Sequence, residues 1–208
     1  SDRWSRKSCH SYSIFLSQGD YPLKGFHYLL QAMPKILERF PYAQVFVAGN
    51  SVISDETLED RLKLPAYGKY LRKLIHEYQL EKKVTMLGRL TAEEMKAQFL
   101  QSHVFVLPSA LENSPNSLGE AMLLGVPCVA ADVGGVHNLL EDGGDGILYP
   151  AGDVEALADA VIEIFSKEAV AERFSDNARK HARVNHDGNQ NYYRLIHIYR
   201  EMTEESEV

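Results

Sequence analysis

Short apolar runs bounded by turn residues alternate along this chain with longer stretches in which apolar side chains recur every three or four residues. That alternation is the βαβα pattern of a mainly parallel sheet covered on both faces. Five runs predict core strands: Ser13 to Ser17, Gln44 to Ala48, Val84 to Leu87, Val104 to Leu107 and Pro127 to Ala130, with a weaker sixth near Gly146 to Tyr149. All are short and rich in Val, Phe and Leu, as buried strands are. Between the first two, Phe26, Leu29, Leu30, Met33, Leu37 and Phe40 make one apolar helix face, which Pro34 is expected to kink or break. Thr91 and Glu94 fit a capping box, with Leu90 and Met95 placed as a hydrophobic staple, so a helix is predicted to start at Ala92. Asp153 precedes Val154, Leu157, Ala158, Val161 and Phe165, a second capped amphipathic helix. From about Lys167 the pattern reads as helices broken near Asn185 to Gly188. The polar, weakly periodic stretch Ser51 to Lys63 reads as a long loop or a marginal helix. Residues 1–12 read as a linker into the first strand, residues 13–186 as one doubly wound, Rossmann-like α/β domain, and residues 187–208 as a C-terminal helix.

Composition narrows the class. At 208 residues, 45% hydrophobic and 25% charged, the chain is expected to be globular with a real core. A net charge of -7 gives no general attraction to polyanions, so nucleic acid is not an expected partner. Cys9 and Cys128 show no disulfide or metal spacing, which fits a reducing, cytoplasmic setting. The most apolar stretch, Ala121 to Ala131, is too short to span a bilayer and contains Gly125 and Pro127. Peripheral membrane contact through a segment outside this chain stays open.

Ligands of open α/β sheets bind at the carboxyl ends of the strands, so the turns there are where chemistry is sought. After the fourth strand, Pro108 to Glu120 runs directly into Ala121-Met122-Leu123-Leu124-Gly125-Val126-Pro127. Pro115 followed by Asn116 suits a helix start, and Leu118, Ala121, Met122 and Gly125 then form its buried face. Asn116, Ser117 and Glu120 fall together on the opposite side. Unpaired N–H groups at such a start, beside a serine hydroxyl, suit a phosphate or diphosphate. Glu112 and Glu120 have seven residues between them, a layout that places carboxylates on either side of a diphosphate. Taken singly, Glu120 would do no more than favour the helix dipole and Glu112 would be solvated.

The whole string resembles the E-x7-E motif of the retaining group 1 glycosyltransferases, followed by their E-A-M-x-x-G-x-P segment. Further segments in family order are Lys24-Gly25, Val47-Ala48-Gly49, Leu87-Gly88-Arg89, Val106 to Ser109, Asp132-Val133-Gly134-Gly135 and Gly146. The resemblance implies the C-terminal, donor-binding half of a GT-B fold, with the acceptor bound by an N-terminal domain that residues 1–12 would link and the C-terminal helix would contact. It implies transfer of a sugar from a nucleoside diphosphate sugar with retention, no cofactor or metal, and no turnover by this half alone. Glu120 would hold the ribose hydroxyls and Glu112 would face the transferred sugar, with no part in holding the nucleotide. Asn113, Ser114, Asn116, Ser117 and Leu118 would line the phosphates. Lys24 would be the diphosphate cation, its place at a helix start being disfavoured by the dipole unless an anion offsets it.

Two positions depart from the family. Gln18, in the loop Ser17 to Leu23 with Gly19 beside it, stands where an Arg is usual, and Arg89 is the candidate replacement. Asn138 stands where Glu is common. Eight scattered histidines and the lack of Asp-x-Asp give no metal site. Gly134 and Gly135 are candidates to bring N–H groups to the sugar, whereas Gly143-Gly144-Asp145-Gly146 reads as a turn. A dinucleotide oxidoreductase would need G-x-G-x-x-G after the first strand, where this chain has Gln18-Gly19-Asp20. The alternatives that stay open are a non-catalytic nucleotide-sugar-binding module and a sugar-nucleotide epimerase of similar fold.

Overall fold

The computed structural model describes residues 3–51, 53 and 66–185. The Ser51 to Lys63 stretch, apart from Ser51 and Ile53, and the helix expected over 187–208 lie outside them. In chain order the elements are β1 (Ser13–Leu16), α1 (Phe26–Arg39), β2 (Gln44–Ala48), α2 (Ala66–Glu77), β3 (Val84–Gly88) and α3 (Ala92–Gln101). They continue as β4 (Val104–Leu107), α4 (Asn116–Leu124), β5 (Cys128–Asp132), β6 (Ile147–Pro150), α5 (Val154–Ser166) and α6 (Glu168–Asn185). The strands form one parallel sheet in the order β3-β2-β1-β4-β5-β6. The order reverses between β1 and β4, which leaves a crevice at their carboxyl ends.

The expected α/β architecture is therefore present, with β2 and β4 bounded as expected and the other strand boundaries within two residues. β1 and β4 are buried along their whole length, whereas β3, at the sheet edge, is only half-buried. The capping box at α3 forms in full: Thr91 Oγ1 accepts from Glu94 N, and Glu94 Oε2 accepts from Thr91 N. Asp153 Oδ1 caps α5 by accepting from Ala156 N at 2.9 Å.

Three features differ from the sequence expectation. Of the two outcomes expected at Pro34, a kink or a break, the break does not occur: α1 runs through it. Phe26, Leu29, Leu30, Met33 and Ile36 are all buried on one face, and α1 packs along α5. That continuous burial outweighs the ~3 kcal/mol cost of an interior proline. The helix α2 was not anticipated; its buried Leu71, Leu74 and Ile75 anchor it beside α1. α6 matches the helix expected from about Lys167, and the break expected near Asn185 to Gly188 lies at and beyond the last described residue. Finally, residues 3–12 carry no helix or strand yet are docked on the domain and do not run free as a linker. Trp4 is buried, its Nε1 donates to Ser102 O at 2.7 Å, and its N donates to Leu124 O at 2.8 Å. His10 N donates to Gln101 O, and Arg3 pairs with Asp176. One indole buries enough apolar area to anchor a segment that has no periodicity to announce it.

Among the described residues, no helix is long and apolar enough to cross a membrane.

Candidate functional site

At the carboxyl edge of the sheet, loops after β1, β4 and β5 interlock through backbone contacts. Ala110 N donates to Leu23 O at 2.8 Å, tying the β4 loop to the β1 loop. Gly25 adopts the left-handed region (φ 72°) and lies against the Pro108 carbonyl, where a Cβ would collide. From the other side, Gly134 and Gly135 press on the carbonyl oxygens of Glu112 and Asn113 so closely that no side chain fits at either position. The glycines thus clamp the 112–113 backbone.

That clamp brings two of the sequence-selected residues together. Lys24 ends a 3-10 turn (Pro22–Lys24) just before α1, and its Nζ lies 2.5 Å from Glu112 Oε1. Ser109 Oγ donates to the same oxygen at 2.8 Å. The Glu112 side chain is 9% exposed and that of Lys24 30%. Glu112 is therefore not solvated, and the anion offsetting Lys24 is supplied by the protein itself. Sequence reasoning passed over Ser109, whose signal was its position two residues past the end of β4.

The helix start beside this pair has the expected form with one correction. Pro115 is the N-cap of α4, no side chain caps it, and Asn116 and Glu120 are exposed while Ser117 is half-buried. Leu118, chosen as a ligand-lining residue, is fully buried, and its N–H donates to Pro115 O at 3.1 Å. The N–H groups of Asn116 and Ser117 lie ahead of that bond, as the outermost donors of the helix start. Asn113 and Ser114 are exposed in the loop before it.

The remaining candidates fall into two neighbouring cavities. Gln18 and Arg89 line one of about 380 Å³, with Asp20, Gly49 and Asn50. In it Arg89 Nε donates to Asn50 Oδ1 at 2.7 Å, and Asn50 Nδ2 donates to Asp20 Oδ2 at 2.8 Å, so Arg89 is held by a short polar chain. Gly19 has no room for a Cβ against Val47 and Phe26. Glu120 lines the other cavity, about 470 Å³ and largely apolar, with Leu90, Met95, Lys96, Phe99 and Leu123. The structure thus joins Lys24 with Glu112 and Gln18 with Arg89, and sets Glu120 in the separate groove of α3 and α4. Asn138 is exposed, and near it His137 Nδ1 lies 3.3 Å from Asp132 Oδ1. Gly143 to Gly146 form a turn, closed by Gly143 N donating to Gly146 O at 2.8 Å. Among the described residues no three of His, Cys, Asp and Glu gather as metal ligands. Cys9 and Cys128 are free thiols, and burial pushes both above the ordinary thiol range.

Comparison with known proteins places the fold that carries these residues. A family model described as "Glycosyl transferases group 1" matches residues 3–181. A phosphatidyl-myo-inositol mannosyltransferase of Mycobacterium leprae is 31% identical over 162 residues, 77% of this chain and 39% of that protein. An alpha-D-kanosaminyltransferase of Streptomyces kanamyceticus is 28% identical over 179 residues, 86% of this chain and 43% of that protein. The chain thus spans less than half the length of these relatives. Among solved structures, a sucrose-phosphate synthase from Thermosynechococcus elongatus superposes with a TM-score of 0.73 at 25% identity, over 93% of this chain and 46% of that one. Anabaena HepE in complex with UDP gives a TM-score of 0.78 at 22% identity, over 92% and 49%. The C-terminal domain of a group 1 family protein from Francisella tularensis gives 0.70 at 18%, over 87% and 89%. These neighbours are GT-B glycosyltransferases.

Proposed function

The chain belongs to the group 1 glycosyltransferases, and from that premise we propose that it is the donor-binding half of an enzyme transferring a sugar from a nucleoside diphosphate sugar with retention of configuration. The observation that carries the reading is the Lys24–Glu112 pair set beside the uncapped start of α4, at the point where the strand order reverses. In this reading Lys24 and the N–H groups of Asn116 and Ser117 hold the diphosphate. Glu120, in the groove of α3 and α4, takes the ribose hydroxyls, and Glu112 faces the sugar. Gln18 and Arg89 would contact the nucleotide from the β1 side, with Arg89 supplying the cation that Gln18 does not.

During transfer the bond from the anomeric carbon to the diphosphate oxygen breaks, and a bond from that carbon to the acceptor hydroxyl oxygen forms on the same face. The acceptor proton passes to the departing diphosphate. Charge grows on the leaving group, where a preorganised cation and N–H groups act more strongly than they would in water. The acceptor would be held by a further domain, so this chain alone binds donor and does not turn it over. Neither a cofactor nor a metal is required.

A thermal-shift screen tests the reading, using uridine, guanosine and adenosine diphosphates and their sugars, each with EDTA and with magnesium. UDP is the first to try, because Anabaena HepE was solved with UDP and with UDP-glucose. Ligand at about a hundred times its Kd adds about 2.7 kcal/mol and a clear rise in Tm. A folded protein that responds to no nucleotide refutes the donor site. A rise that needs magnesium refutes metal independence, and glycoside formation by this chain alone refutes the need for a further domain.

A further inference from the structure

We infer that Glu112, through its ion pair with Lys24, makes the site discriminate between an intact sugar donor and the spent nucleoside diphosphate, a role that rests on the donor reading above. The pair is built to persist. Lys24 Nζ and Ser109 Oγ both donate to Glu112 Oε1, at 2.5 and 2.8 Å. The carboxylate is 9% exposed, so water screens it little. Its backbone cannot retreat, because Gly134 lies against its carbonyl oxygen and Ala110 is tied to Leu23. A fixed negative charge therefore stands beside the cation that a diphosphate would use.

The two ligands differ in what they offer that charge. A nucleoside diphosphate brings a second anion to Lys24, and its phosphate end carries only acceptors. It meets Glu112 as a like charge with no hydrogen bond to offset the repulsion. An intact donor places sugar hydroxyls next to the same phosphates. These are donors, and Glu112 Oε2 takes neither of the two existing bonds, so it is the acceptor for them. Specificity is a difference between two affinities and is built by opposing the wrong ligand as well as by attracting the right one. Glu112 does both, and after transfer the same carboxylate favours departure of the nucleotide.

The sign of the effect separates this role from a merely structural one. Glu112→Gln keeps the shape and an acceptor for Ser109 but removes the charge. Calorimetric titration of the wild-type chain and of Glu112→Gln would use UDP, GDP and ADP, and UDP-glucose, GDP-mannose and ADP-glucose. For the base that binds, the nucleoside diphosphate should bind about tenfold tighter to Glu112→Gln, while the nucleotide sugar gains nothing or weakens. Unchanged or weaker binding of the nucleoside diphosphate to folded Glu112→Gln overturns the inference, and so does an equal gain for both ligands. If Glu112→Gln does not fold, Glu112→Ala is read by the same criteria. A folded wild-type chain that binds none of the six ligands overturns the donor reading and this inference with it, a failure distinct from a wild type that binds and a variant that shows the wrong sign.

Discussion

The two edges of the sheet are built on opposite plans. At the amino edge, Tyr12, Phe40, His103 and Phe165 pack ring on ring, with His103 stacked on Phe165 at 4.8 Å and Tyr12 4.8 Å from Phe40. Trp4 closes the same edge by bonding to Ser102 and Leu124. At the carboxyl edge the chain uses glycines, exposed polar side chains and one half-buried ion pair. The amino edge gains stability from area and ring packing. The carboxyl edge instead keeps exposed polar side chains and the uncapped start of α4, which suits an incoming ligand. Stability and chemistry are thereby separated by the length of a strand.

Substitutions at each edge should break that division or sharpen it. The largest effect is expected from Trp4→Ala, which removes a buried indole and leaves the Ser102 carbonyl without its donor. A loss of about 3–5 kcal/mol in denaturant unfolding is expected, with nucleotide affinity unchanged below the transition. A loss under about 1 kcal/mol would show that residues 3–12 are not part of the fold.

Lys24→Ala and Glu120→Ala should act on affinity instead. Each removes one charge-assisted hydrogen bond, so the affinity for the best nucleoside diphosphate should fall about tenfold or more in calorimetry. Tm should shift little in Glu120→Ala, whose side chain is exposed, and fall in Lys24→Ala, which leaves the buried Glu112 carboxylate without its cation. Unchanged affinity in folded Lys24→Ala would take that residue out of the site.

A smaller effect is expected at His103, where burial lowers the ring pKa to about 3 from 6.5. Its Nδ1 accepts from Tyr12 N, while its buried Nε2 has no partner. Between those two pH values the unfolded chain binds a proton that the folded one refuses, so stability falls as pH drops below 6.5. His103→Leu should cost about 1 kcal/mol at pH 7 by freeing the Tyr12 N–H, and should flatten this acid-side slope in urea melts. A slope identical to that of the wild type would place the acid sensitivity elsewhere.

The smallest effect is expected from Arg89→Ala, about threefold in nucleotide affinity, since the side chain is exposed and screened. If Asn50 positions Arg89, Asn50→Ala should weaken binding in the wild-type background and add nothing to Arg89→Ala, as a double-mutant cycle would show.

Much of this was legible in the chain itself. Gln44–Ala48 and Val104–Leu107 are apolar runs whose ends coincide with turns, and the Thr91 and Asp153 caps are local signals that tertiary packing did not override. The E-x7-E string placed Asn116, Ser117 and Glu120 on one side of a helix because helical period fixes that geometry. What could not be read depends on contacts between distant residues. Trp4 finds Ser102 across 98 positions and Lys24 finds Glu112 across 88, and no local pattern encodes either. That Pro34 does not break α1 has the same reason, since its cost is local and the burial that outweighs it comes from α5.

The clamp of Gly134 and Gly135 on Glu112 and Asn113 also bears on how such a site could be re-engineered. Two loops whose backbones touch without an intervening side chain cannot be exchanged independently, because a bulkier residue in one displaces the other. The segments after β4 and β5 therefore form a single cassette. A chimera that grafts the 108–117 loop of another glycosyltransferase should keep its geometry only if the 132–138 loop travels with it.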